Sequence, residues 1–203
     1  MSYSNPLHPP LSPALQSGYS SLGGAVNGGR TPSQFISPSK RRLPQAPYTP
    51  ASKWRTATGR LNQLQYPITF DYLGYSKQGI SMVETSAKGV PGLLRMLQGP
   101  NDTVLAQTGI SRITFRIIWP GYEHIDWARS IEINAQGPIT RAQLALQVCR
   151  IFGNFAEKAR SEHTRAPEWQ LGPSSIRYEH LFLLSLVNVF EDVWQADVAV
   201  DIR

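Results

Sequence analysis

Polar and apolar positions alternate most clearly at the C-terminal end of the chain. Trp194, Ala196, Val198, Val200 and Ile202 alternate with Gln195, Asp197, Ala199, Asp201 and Arg203. A period of two predicts a strand with one buried and one solvated face, as in antiparallel or edge strands. Ile113, Phe115, Ile117 and Trp119 repeat the pattern against Arg112, Thr114, Arg116 and Ile118, and Pro120-Gly121 ends that strand. Another strand is expected near Trp127–Ile133, with Ile131 and Ile133 on one face. Ile68–Leu73 and Val104–Ala106 are candidate short strands. The period changes at residues 141–160, where Leu144, Val148, Ile151, Phe152, Phe155 and Ala159 fall on one helical face. Thr140 and Gln143 have the spacing of a capping box, and Ile139 and Leu144 that of a hydrophobic staple. Ser81 with Glu84 repeats the capping-box spacing and opens a second helix, which Gly89, Pro91 and Gly92 interrupt. Tyr178–Phe190 reads as a third helix, although Leu181–Leu184 also fits a buried strand. The order is β-α-β-β-β-α-α-β. It predicts an α+β fold: a mixed, largely antiparallel sheet with two or three helices packed on one face.

Three short segments within this region carry a resemblance: Ile117-Ile118-Trp119-Pro120-Gly121-Tyr122, Gly137-Pro138-Ile139-Thr140 with the helix that follows, and Trp194-Gln195. Together they resemble landmarks of an uncharacterised protein group from mushroom-forming fungi, over about residues 78–198. The resemblance implies a fungal, intracellular source. It implies no activity, cofactor or site.

Charge divides the chain in two. Of 203 residues, 20 are Lys or Arg and 14 are Asp or Glu, a net charge of +6. The first acid is Asp71, and seven cations precede it: Arg30, Lys40, Arg41, Arg42, Lys53, Arg55 and Arg60. From Asp71 onward 13 cations face 14 acids, so the positive balance belongs to the first third. Ten of the 16 prolines, through Pro67, lie there too, with the run Gly23-Gly24-Ala25-Val26-Asn27-Gly28-Gly29. Proline removes a backbone donor and glycine raises the entropy cost of ordering. Residues 1–65 are therefore expected to form a disordered or loosely docked, basic Pro/Ser/Gly-rich tail before one globular domain at 66–203. No apolar run reaches the roughly 18–20 residues of a membrane span, so no membrane insertion is expected. The prolines at 6, 9, 10 and 13 leave no apolar stretch for a secretory signal, and a first cation as late as Arg30 speaks against a mitochondrial presequence. These features predict an intracellular protein, nuclear or cytoplasmic.

Candidate chemistry in the domain is sparse. Gly89-Val90-Pro91-Gly92 lacks the Gly-Lys-Ser/Thr ending of a phosphate loop, and no nucleophile elbow or zinc-protease motif occurs. Glu123, His124 and Asp126 offer a His–carboxylate combination in the connection after Trp119-Pro120-Gly121-Tyr122, without an identifiable nucleophile. Glu162, His163, Glu179 and His180 are metal-ligand types at a spacing that matches no helix-based site. The single cysteine, Cys149, lies one turn from Ala145 and reads as a small core residue. No cofactor or metal is expected.

The tail holds the more specific signals. Ser12, Thr31, Ser37 and Thr49 each precede a proline, and Ser37-Pro38-Ser39-Lys40 resembles the recognition sequence of cyclin-dependent kinases. Arg41-Arg42-Leu43 resembles a cyclin-docking motif. Four phosphates would add roughly −6 to −8, enough to cancel the seven tail cations. Lys40, Arg41 and Arg42 after Pro38 also resemble a short nuclear-import signal. With Lys53, Trp54 and Arg55 they form a candidate patch for weak, salt-dependent nucleic-acid binding by charge and stacking. The sequence thus points first to a non-catalytic interaction module with an unidentified protein partner and a basic, phospho-regulated tail. Tail-mediated nucleic-acid binding comes second, and an enzyme whose site one sequence does not reveal comes third.

Overall fold

The computed structural model of the chain describes residues 35–50, 64–135 and 137–202. Among the described residues nine strands and long helices follow in order: β1 (Lys40–Arg42), β2 (Ile68–Thr69), β3 (Ile80–Ser81), α1 (Met82–Met96), β4 (Arg112–Ile117), β5 (Trp127–Glu132), α2 (Arg141–Ala159), β6 (Leu181–Phe190) and β7 (Val193–Asp201). The seven strands form one mixed sheet in the order β2-β6-β7-β4-β5, with β3 also paired to β6 and β1 to β7. Every pairing is antiparallel except β4 with β7, which covers only Thr114–Val193 and Phe115–Trp194. The class is α+β.

Both helices arise from the local chemistry that predicts them. The Thr140 hydroxyl accepts from Gln143 N, and Gln143 Oε1 accepts from Thr140 N at 2.9 Å, closing the capping box. Helix α2 then buries Leu144, Val148, Phe152, Phe155 and Ala159. The staple pair, Ile139 and Leu144, is buried with them. Thr140→Ala should lower stability by about 1 kcal/mol, read as a shift in the urea midpoint. Ser81 caps α1 by accepting from Glu84 N, but its box is not closed: Ser81 N donates to the Tyr72 hydroxyl, which in turn donates to Glu84. Gly89, at φ 59°, ψ −167°, breaks that helix into two segments, with Pro91 in the second.

Helix α1 packs on α2 and β6, and α2 packs on β4 and β5. Aromatic rings fill the seam: Phe115 meets Phe152 at 5.8 Å, and Phe155 meets both Trp119 (6.2 Å) and Trp127 (5.7 Å). Trp119 Nε1 donates to Trp169 O at 2.8 Å, which satisfies the polar tip of a buried indole.

Four expectations are corrected. Tyr178–Phe190 is not a helix: after one 3-10 turn at Tyr178–His180 the chain enters β6, so there are two long helices among the described residues and not three. Strand β6 lies between β7 and the β2/β3 pair and is buried on both faces from Leu183 to Asn188. A doubly buried strand is apolar at nearly every position, and periodicity does not separate it from a helix. Val104–Ala106 is not a strand; it runs into a 3-10 turn at Ala106–Thr108. Ile68–Leu73 is a strand only at Ile68–Thr69, after which Tyr72 makes an isolated bridge to Leu97. Finally, the face of β7 expected to meet solvent does not: Gln195, Asp197, Ala199 and Asp201 are all buried. What covers them comes from the segment that composition assigns to a disordered tail.

Candidate interaction site

Residues 35–50 form a strap along β7. A turn at 36–39, closed by Lys40 N donating to Ser37 O at 3.2 Å, leads into β1. Strand β1 pairs Lys40 with Asp201, Arg41 with Val200 and Arg42 with Ala199. Leu43 N then donates to Val198 O at 2.8 Å, and the Leu43 side chain is 0% exposed within the core. Beyond Leu43 the regular ladder ends, because Pro44 and Pro47 have no N–H to contribute. Side-chain amides continue it: Gln45 Nε2 donates to Ala196 O at 2.8 Å, Tyr48 N to Gln195 Oε1 at 2.7 Å, and Gln195 Nε2 to Ala46 O at 3.3 Å. The Arg116 guanidinium of β4 lies 4.5 Å from the Tyr48 ring centroid. The strap therefore occupies the stretch of β7 edge that β4 leaves unpaired after Trp194.

Alternation along β1 separates its three cations. Lys40 and Arg42 turn toward the sheet, and Arg41 is exposed. Arg42 Nη1 lies 2.5 Å from Asp197 Oδ2, an ion pair whose side chains are 16% and 4% exposed. Arg42 stands opposite Ala199, so Asp197 is its diagonal neighbour across the pair, within reach of a long side chain. Burial pushes the Asp197 carboxyl up to about 6, against the pull of the Arg42 charge. The Lys40 ammonium lies 3.6 Å from the Phe182 ring centroid and donates to Gln78 O at 3.2 Å. Asp201 Oδ1 accepts from Ser39 Oγ and, at 3.4 Å, from Ser37 Oγ.

The other candidates are dispersed. Thr49 is exposed at the end of the strap. Ser12, Thr31, Lys53, Trp54 and Arg55 lie outside the described residues. Glu123 Oε1 accepts from Gly121 N at 2.8 Å, Asp126 pairs with Arg116, and His124 Nε2 lies 4.0 Å from Glu162 Oε2. Each of the three thus turns to a different partner. His180 Nδ1 accepts from Arg177 N at 3.2 Å. No group of three or more His, Cys, Asp or Glu among the described residues is placed to hold a metal ion. Cys149 is fully buried, and burial raises its thiol far above the ordinary range. A cleft of about 240 Å³ opens between Ala156, Arg160, Leu171, Ile176, Arg177 and Tyr178. Its cations are already paired, Arg160 with Glu157 and Arg177 with Glu179. No helix among the described residues is long and apolar enough to cross a membrane.

Sequence reasoning missed Gln45, Gln195, Asp197 and Asp201 as parts of one site. A signal was present: Lys40 and Arg42 are two residues apart, and Asp197 and Asp201 share one parity on β7. Opposite charges on matching strand faces are complementary, but nothing local marks strands about 155 residues apart as neighbours. Compared with family models, curated proteins and solved structures, the chain gives no significant match.

Proposed function

We propose that this chain is a non-catalytic protein-interaction module whose binding groove is the β7 edge together with the carboxylates behind it. Its own strap is the occupant, held in cis. The observation that carries this reading is how the strap is bound. A backbone ladder on a strand edge is combined with a cation on Asp197 and an aliphatic side chain in a closed pocket. Strand-addition recognition uses this division of labour, with main-chain bonds for affinity and alternate side chains for specificity. A competing segment would carry Arg or Lys in place of Arg42, followed by an aliphatic residue in place of Leu43.

The β5 edge is less suited to strand addition. Strand β5 lies at the end of the sheet, but Arg129 donates to Ala128 O at 2.8 Å and stacks at 4.0 Å on Trp127. Charged side chains on a short strand blunt an edge against pairing. The nucleic-acid reading loses two of its cations, because Lys40 and Arg42 face the sheet.

The test uses a labelled peptide of residues 35–50 and the full-length chain. Wild type, with its groove filled in cis, should bind the peptide weakly. Lys40→Glu, which reverses the charge between Phe182 and Asp201, should loosen the strap and bind it at least about tenfold more tightly. The same peptide with Arg42→Ala should bind poorly. Failure of both chains to bind would overturn the reading, and recovery of partners only through nuclease-sensitive material would put nucleic acid in its place.

A further inference from the structure

We propose that Ser37 is a phosphorylation site and that its modification releases the strap, so that a proline-directed kinase controls access to the β7 groove. The inference rests on the reading of that groove as a binding site and adds its regulation.

Ser37 heads the segment Ser37-Pro38-Ser39-Lys40, with proline next and a cation three positions on. These residues form the turn that feeds β1. Ile36 is 73% exposed and Pro38 is exposed, so the modifiable serine lies in a protruding turn and not in the ladder. Its hydroxyl points inward: Ser37 Oγ lies 2.8 Å from Ser39 Oγ and 3.4 Å from Asp201 Oδ1, and Ser39 Oγ also donates to Asp201. A half-buried hydroxyl network thus ties the head of the strap to a carboxylate that is 7% exposed.

Phosphorylation reverses this contact. The Ser37 oxygen attacks the γ-phosphorus of ATP. The new O–P bond forms as the bond from that phosphorus to the ADP oxygen breaks, and the hydroxyl proton passes to the kinase's general base. Ser37 loses its donor and gains about −1.5 to −2 of charge beside the Asp201 carboxylate. Acceptor then faces acceptor, and like charges meet where solvent screening is reduced. The strap cations near this end are already engaged: Lys40, the cross-strand neighbour of Asp201, is on Gln78 O and the Phe182 ring, and Arg42 is on Asp197. Drawing either toward the phosphate would itself undo a docking contact. The outcome is a strap displaced from Asp201 toward Gln195, which exposes the edge that β1 covers.

The experiment uses the full-length chain with Ser12, Thr31 and Thr49 changed to alanine, leaving Ser37 as the only Ser/Thr-Pro acceptor. It is treated with ATP and a recombinant proline-directed kinase, and the site and its occupancy are read by mass spectrometry. Hydrogen exchange is then followed at residues 40–45 and 195–201. We expect protection at Leu43 to fall by about tenfold or more on phosphorylation. Ser37→Ala should show no change with kinase, and Asp201→Asn should shrink the effect. Full occupancy at Ser37 with unchanged exchange would overturn the proposal. So would a folded chain that refuses phosphate while a peptide of residues 30–45 accepts it, or an undiminished effect in Asp201→Asn. A strap that opens on phosphorylation in a chain that never binds the 35–50 peptide would retain the modification and remove the binding reading. Peptide binding by Lys40→Glu with no response to phosphate would do the reverse.

Discussion

Arg42→Ala is expected to destabilise the chain by about 3–5 kcal/mol at pH 8 and by much less at pH 5. The asymmetry follows from the sign of the Asp197 shift. Burial raises this carboxyl from 3.8 to about 6 even with Arg42 beside it. The native state therefore holds a proton on Asp197 between about pH 4 and 6, where the unfolded chain has released it. Stability from this group is fullest below that window and falls as pH rises through it. Removing Arg42 takes away the charge that favours the ionised form, so the native pKa rises further. At pH 5 the variant buries a neutral acid and loses little. At pH 8 it must bury an unpaired charge or retain a proton at a cost.

Urea midpoints of wild type and Arg42→Ala at pH 5, 6, 7 and 8 test this directly. The gap should widen with pH, and Arg42→Ala with Asp197→Asn should close most of it. A pH-independent loss would mean that the strap does not bury this pair. Asp197→Asn alone should flatten the acid side of the stability profile, since it removes the titrating group and keeps the shape of the side chain.

Gly121→Ala should cost more than about 3 kcal/mol, while Gly109→Ala should cost only about 1–2 kcal/mol. Both glycines are left-handed, at φ 83° and 69°. A Cβ at Gly109 would meet nothing within 4 Å. At Gly121 it would lie 2.4 Å from Thr164 Oγ1, 2.6 Å from Ala166 N and 2.9 Å from Ala166 Cβ. The Thr164 hydroxyl could turn away only by breaking its bonds to Ala166 N (3.1 Å) and Ala166 O (3.2 Å), the Ala166 contacts are to backbone and Cβ, and Arg165 N already donates to Gly121 O at 3.0 Å. The difference between the two variants isolates this close approach from the shared conformational cost. Equal urea midpoints would show that the turn after Trp119 does not pack on residues 164–166 as described. Because Trp119 and Tyr122 are buried on either side of Gly121, a displaced turn would also open the Trp119–Phe155 seam.

The same turn shows how far local reading carries. Pro120-Gly121 marks the end of β4 from residue type alone. That alanine is barred at 121 depends on Thr164 and Ala166, which no nearby residue announces. Glu123, His124 and Asp126 make a similar case. Their clustering along the chain invites a joint role, but a turn points successive side chains in different directions, and each finds a separate partner.

Where the deciding contacts lie within about four residues, the chain by itself determines the structure. The Thr140–Gln143 capping box, the Ser81 cap and the break at Gly89 are of this kind, as are the alternations in β4 and β7, because cap chemistry and strand period are local. Tertiary structure decides the rest. Leu181–Phe190 becomes a strand because β7 along one edge and β2 and β3 along the other hydrogen-bond it into the sheet, and its burial on both faces from Leu183 to Asn188 erases the period. Asp197 and Asp201 are buried because Arg42, Ser39 and Ser37 arrive from about 155–164 residues away to receive them. A polar position reads as solvent-facing until its partner is located, and for β7 the partner lies in a stretch whose prolines, glycines and charge describe a tail. Proline limits that stretch to a short ladder but does not prevent it from docking on an edge, and the edge exists only once the sheet has formed.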